Sequence, residues 1–273
     1  MLRRTHSYRP PKALVLVLAL LVLVSLVRCS DSTEDVPTPA PVAETQVETG
    51  PYFDGDAFSM SGGRYRYDDG TTVAEKTGID VSDHQGPIDW AAVASDGIDF
   101  AFLRAGYRGN TEGGLFADEL FATNLAEARA AGLECGAYFY SQATSAQEAE
   151  EEAAFVLELL AGTPLEYPVA FDYEITPNTR ISNVSKQTAS EIVTAFCAAI
   201  EAGGYVPMVY GNTFDLAKFN SDALSGRAIW CAEYDDGPSY ERKPSIWQYT
   251  NEGHVNGIGG LVDLNLDLSS VAE

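Results

Sequence analysis

Apolar and polar positions alternate with two different periods along this chain, and the change of period marks out its elements. From Gly78 onward, short apolar runs predict strands over Gly78 to Ser82, Asp99 to Ala105, Glu134 to Ser141, Tyr167 to Glu174 and Tyr205 to Gly211. Between them, apolar residues spaced three and four apart predict helices over Asp89 to Ala94, Phe116 to Ala131, Ala146 to Ala161, Lys186 to Ala202 and a short Phe214 to Phe219. Ser145 and Glu148 offer a capping box, and Gly132 and Gly203 stand at helix ends. Three more strands, Ala228 to Glu233, Ser245 to Tyr249 and Leu261 to Leu264, follow without helices between them. Alternating strands and helices imply a parallel sheet, and eight strands allow it to close. The expected fold is α/β: a TIM-like barrel with five strand-helix units followed by three strands.

Upstream of the barrel the pattern differs. Residues 1–29 hold Arg3, Arg4, Arg9 and Lys12, then an apolar run from Ala13 to Val27 broken only by Ser25. This is an N-terminal signal or a membrane anchor. The run ends in Leu26-Val27-Arg28-Cys29 with no Ala-x-Ala junction, which favours an uncleaved anchor over release. Basic residues ahead of the run put the N-terminus in the cytoplasm and the rest outside, so the chain is exported, either membrane-anchored or secreted. Residues 30–51 are rich in Thr, Pro, Glu and Val without periodicity and predict a disordered linker. In residues 52–76, Gly62-Gly63, the alternating Arg64-Tyr65-Arg66-Tyr67 and Asp68-Asp69-Gly70 predict a small hairpin, either a wall of a substrate groove or a packing flap. Residues 77–273 form the barrel domain.

Charge narrows the partners. The whole chain has 17 basic and 40 acidic residues; residues 1–30 hold five of the former and none of the latter, so the remainder has 12 against 40, or −28. Such a surface disfavours nucleic acid and anionic lipid. Cys135, Cys197 and Cys231 lie in apolar runs without metal-like spacing and predict buried free thiols over a disulfide framework. His6, His84 and His254 are scattered and join no ligand set, so neither a metal nor another cofactor is expected.

Chemistry concentrates in Asp172-Tyr173-Glu174, at the end of the run Tyr167-Pro-Val-Ala-Phe171. Side chains alternate along a strand, so Val169, Phe171, Tyr173 and Ile175 share one face and Ala170, Asp172 and Glu174 the other. That second face suits a barrel interior opening into a polar cleft at the strand's C-terminal end; a solvated sheet surface is the plainer alternative. Asp80, between Ile79 and Val81, and Asp263, between Val262 and Leu264, alternate in the same sense. A turn cap for the first and a surface aspartate for the second are the competing explanations.

Several segments together resemble the family-25 glycoside hydrolases, the CH-type lysozymes that act as N-acetylmuramidases. They are Gly78-Ile-Asp-Val-Ser82, Phe100-Ala-Phe-Leu-Arg-Ala-Gly106, Gly136-Ala-Tyr-Phe-Tyr-Ser141, Pro168-Val-Ala-Phe-Asp-Tyr-Glu174, Tyr210-Gly211, Trp230 to Tyr234, Trp247-Gln-Tyr249 and Val262-Asp-Leu-Asn265. The resemblance implies a catalytic role for Glu174, Asp172, Asp80 and Asp263, with Glu174 protonating the leaving oxygen. It implies that Tyr138, Tyr140, Tyr210 and Trp247 line the substrate groove, with Phe139 where many relatives have histidine. It further implies a monomer acting on bacterial peptidoglycan between N-acetylmuramic acid and N-acetylglucosamine. Neighbouring acids on one strand face favour substrate assistance, in which Asp172 supports attack by the sugar's own N-acetyl group. A non-catalytic wall-binding module and a hydrolase of another N-acetylated glycan remain the alternative functions.

Overall fold

The computed structural model describes residues 52–271. The apolar run from Ala13 to Val27 and the linker of residues 30–51 lie outside the described residues. Among the described residues no helix is long and apolar enough to cross a membrane.

Three short strands come first, β1 (Phe58–Ser61), β2 (Arg64–Asp68) and β3 (Val73–Ala74), paired antiparallel in that order. Gly62 and Gly63 join β1 to β2 with φ of 60° and 79°, the left-handed pair that a tight hairpin turn requires. In β2 the predicted alternation holds: Tyr65 and Tyr67 are buried and Arg66 is exposed.

The elements that follow are β4 (Thr77–Val81), α1 (Trp90–Ser95), β5 (Phe100–Arg108), β6 (Leu115–Ala117), α2 (Phe121–Ala130), β7 (Glu134–Tyr140), α3 (Ala146–Leu160), β8 (Val169–Asp172), α4 (Lys186–Ala202), β9 (Pro207–Asn212), α5 (Thr213–Leu216), α6 (Ser221–Leu224), β10 (Ala228–Ala232), β11 (Ile246–Gly253) and β12 (Val262–Asp267). Neighbours run β4-β12-β11-β10-β9-β8-β7-β5, and β4 also pairs with β5, so eight strands close into a barrel. All adjacent pairs are parallel except those made by β12, which is antiparallel to both β11 and β4. The connection into β12 is too short for a helical crossover, and a short connection reverses the chain. Five strand-helix units followed by three strands are therefore the observed architecture.

Phe100, Phe102, Ala170, Met208, Trp230 and Ile246 fill the barrel interior. Two glycines make room for that packing. A Cβ on Gly78 would sit 2.1 Å from the Phe100 ring, and one on Gly136 would sit 2.5 Å from Phe102. On the opposite strand face Ile79, Leu103, Phe139, Val169, Phe171 and Val209 pack under the helices, in the same core as the buried free thiols Cys135, Cys197 and Cys231.

One helix begins later than its periodicity suggests. Leu115–Ala117 pairs with the end of β5 instead of opening α2, and the Gly106 backbone lies so close to Phe116 that a Cβ there would be 2.4 Å from its carbonyl oxygen. Asp118 then breaks the chain: its carboxylate accepts from the Leu120 amide, and α2 starts at Phe121. The capping of α3 also differs in detail. Ser145 accepts from the Glu148 amide as predicted, while the Glu148 carboxylate reaches the Thr144 amide at 2.8 Å.

Candidate active site

The C-terminal ends of the barrel strands converge on a group of carboxylates. The inner face of β8 carries Ala170 and Asp172, and the chain keeps its alternation one step further, so Glu174 follows on the same side while Phe171 and Tyr173 are fully buried in the outer core. Asp80 on β4 and Asp263 on β12 are register partners across an antiparallel pair. Asp172 and Asp80 are buried; Glu174 and Asp263 are half-buried.

Asp80 is held by two amides. Gln248 Nε2 and Asn265 Nδ2 both donate to its Oδ2, at 3.0 and 2.8 Å. The orientation of each amide is fixed from behind: Gln248 Oε1 accepts from the hydroxyls of Tyr210 (3.1 Å) and Tyr234 (2.9 Å), and Asn265 Oδ1 accepts from Trp230 Nε1 (2.8 Å). Asp263 is the acid that interacts with Asp80 across the β4–β12 pair. A cation at this end is Arg104 on β5. Asp118 (2.9 Å) and Asp83 (2.5 Å) neutralise it, so the cluster of acids keeps its excess negative charge.

Burial raises all four carboxyls, and neighbouring acids add to the rise for Asp80, Asp172 and Glu174. Burial is the leading cause for Asp172, followed by the charge of Glu174 and a hydrogen bond to it. For Glu174 burial again dominates; the hydrogen bond from Asp172 works the other way, and the charges of Asp215 and Asp263 add to the rise. The two carboxyls thus act on each other in opposite senses, Glu174 raising Asp172 and Asp172 lowering Glu174. Asp80 is raised by burial and by Asp263, against the opposing pull of the Asn265 and Gln248 amides, and Asp263 is raised by burial. One atom stands out: Asp172 Oδ1 is buried and has no hydrogen-bond partner among the described residues.

Three of the four predicted aromatics stand beside these acids. Tyr140 and Tyr210 are the register neighbours of Asp172 on either side, and Tyr138 lies on the same inner face as Tyr140. The Tyr140 hydroxyl is pushed up to about 12 by burial and then by Asp172 and Glu174; burial and the carboxylates raise Tyr138 and Tyr210 as well. Trp247 is a correction. It is fully buried on the outer face of β11, where its ring meets Phe58 at 5.3 Å and Tyr65 at 4.8 Å and its Nε1 donates to the Glu233 carbonyl. Strand alternation turns its neighbour Gln248 inward instead. Gln248, Asn265, Tyr234, Asp215 and Arg104 are the residues the sequence reading missed. A lone Gln between Trp247 and Tyr249, and an Asn two positions after Asp263, were the available signals.

Glycosyl hydrolases family 25 is the family whose model matches this chain, over residues 79–258. The chain is 28% identical over 189 residues to the autolytic lysozyme of Clostridium acetobutylicum, a match covering 69% of this chain and 54% of that protein, so it spans about half the length of that relative. It is 30% identical over 213 residues to the uncharacterized protein YegX of Escherichia coli K12, covering 72% of this chain and 71% of that one. Among solved structures it is similar to the bacterial lysozyme from Streptomyces coelicolor, with a TM-score of 0.60 and 24% identity over 72% of this chain and 93% of that one, a likeness of fold. The family's model covers most of β4 and all of β5 through β11, with Asp80, Asp172 and Glu174 but not the Asp263 of β12, and the chain belongs to family 25 of the glycosyl hydrolases.

Proposed function

We propose that this chain is a lysozyme that cleaves peptidoglycan at the β-1,4 bond between N-acetylmuramic acid and N-acetylglucosamine. The lysozyme relatives support the substrate class. The buried Asp172 Oδ1, next to Glu174 and without a partner among the described residues, carries the mechanism. When the N–H of the sugar's acetamido group donates to Asp172, it favours the ionised Asp172, whose proton passes to Glu174. Glu174 is then loaded as the general acid. It gives its proton to the leaving glycosidic oxygen while the acetamido carbonyl oxygen attacks the anomeric carbon, and a water that reopens the resulting ring returns a proton to Glu174. Tyr138, Tyr140 and Tyr210 supply faces and hydroxyls for the sugar at this point.

Glu174→Gln keeps the shape of the side chain and loses the transferable proton. We expect it to slow release of new reducing ends from purified peptidoglycan by about 10²–10⁴-fold, with an unchanged circular dichroism spectrum. Turnover near that of the parent chain would refute the assignment. Substrate assistance also requires retention of configuration in the first-formed product, read by NMR, whereas inversion would point to a water placed by Asp80 or Asp263. The apolar run from Ala13 to Val27 supports export of the barrel, and fractionation of producing cells distinguishes an anchored from a released enzyme.

A further inference from the structure

The hairpin of β1 and β2 lies before the first residue matched by the family's model, and the reaction just described makes no use of it. It is nevertheless held firmly on the barrel. Tyr65 packs on Trp247 and Tyr249 with ring centroids 4.8 and 5.1 Å apart, and Arg64 pairs with Asp96 at 3.1 Å. On the free side of this contact, hairpin and barrel together enclose a cleft of about 640 Å³. Met60, Gly63 and Tyr65 line one wall; Tyr234, Thr250 and Leu264 are among the residues lining the other.

The barrel residues of this cleft come from the catalytic end. Tyr234 follows β10 by two residues, Thr250 is in the C-terminal half of β11, and Leu264 is next to Asp263 near the start of the antiparallel β12. Tyr234 belongs to both places. Its hydroxyl is fixed on Gln248, the residue that holds Asp80, yet half of the residue (53%) is exposed. Met60 is similarly open at 56%. A rigid aromatic face and an open thioether, edged with hydroxyl and carboxylate acceptors, suit a pyranose ring, which has apolar faces and a polar rim.

We propose that this cleft is a distal saccharide subsite, in which the hairpin binds the glycan strand as it leaves the catalytic centre. The proposal rests on the glycan-cleaving reading of the carboxylate cluster and adds to it a preference for long strands. Peptide-free glycan strands of defined length provide the test, with two variants: Met60→Ala, which removes one wall, and Thr250→Trp, which fills the cleft. Neither touches the acids. The expected result is a five- to tenfold rise in KM for long strands, roughly the loss of one good contact, with kcat and the KM for a tetrasaccharide unchanged. Equal losses on both substrates, or no loss on either, would overturn it. So would a loss confined to strands that still carry peptide stems, which would make the occupant a peptide. Should the parent chain cleave none of these strands, the reading of the reaction fails by itself. Titration calorimetry then decides the cleft: tighter binding of long strands, weakened by both variants, supports it, and binding independent of length sinks it.

Discussion

At the scale of single residues, this site is governed by negative charge held out of water. Glu174 is raised first by burial, and Asp215 and Asp263 push it further. Asp215 is buried in α5 and accepts from the Ile175 amide at 3.0 Å, a bond that an asparagine would keep. Asp215→Asn therefore removes charge while preserving the acceptor. An anionic neighbour raises a carboxyl's pKa, so its removal lowers that of Glu174. Loss of the acid's proton sets the alkaline limb of the kcat/KM profile, and we expect this limb to move to lower pH in the variant. An unmoved limb would mean that another group controls it. The same scale shows what the sequence could and could not reveal. Alternation around Asp172 placed it and Glu174 on one inner face, because a buried strand with clear apolar neighbours has only one consistent phase. In β11 every neighbour is apolar, Ile246, Trp247 and Tyr249 alike, so the phase was ambiguous and Trp247 was assigned to the groove in place of Gln248.

At the scale of elements, the strand ends are braced by ion pairs that the pattern of hydrophobic positions does not contain. Arg108, at the end of β5, reaches α3: its Nε donates to Glu152 at 2.7 Å, and its other nitrogens bind the carbonyls of Gly113 and Glu148. Glu152 is fully buried and also accepts from Ser141 at 2.6 Å. Removing one member of a buried pair leaves the other charge without a partner, so Glu152→Ala should cost about 3–5 kcal/mol, measured by urea unfolding at pH 8. Burial raises Glu152 to about 7 against the opposing pull of Ser141 and Arg108. The folded state thus retains a proton that the unfolded chain releases, and this group's contribution is full at low pH and fades as pH rises through about 7. Glu152→Gln should flatten that part of the stability profile, and an unchanged slope would show that other carboxyls set it. Elements with strong periodicity were legible in advance, Lys186–Ala202 to the residue. The start of α2 was not, since Leu115–Ala117 is apolar enough to continue a helix and becomes a strand only because β5 offers it an edge.

At the scale of the molecule, hairpin and barrel carry a large negative charge toward the anionic wall polymer proposed as the substrate. The chain beyond residue 30 has 12 basic and 40 acidic residues, and Arg104 at the mouth is already neutralised by Asp83 and Asp118. Nothing in that distribution attracts a wall bearing carboxylates; long-range repulsion should slow encounter instead. Salt weakens this repulsion, shortening the screening length from about 30 Å at 0.01 M to about 8 Å at 0.15 M. Short-range contacts inside the buried site are screened far less. Raising ionic strength over this interval should therefore speed lysis of intact walls by raising kcat/KM, while the rate on short soluble strands, which present few charges, changes much less. Turbidity clearing of wall suspensions, run beside reducing-end release from a tetrasaccharide, measures both. If added salt slows wall lysis, a local attraction dominates the encounter, and the place to look for it is the cleft lined by Arg64 and His254, where the hairpin supplies a cation.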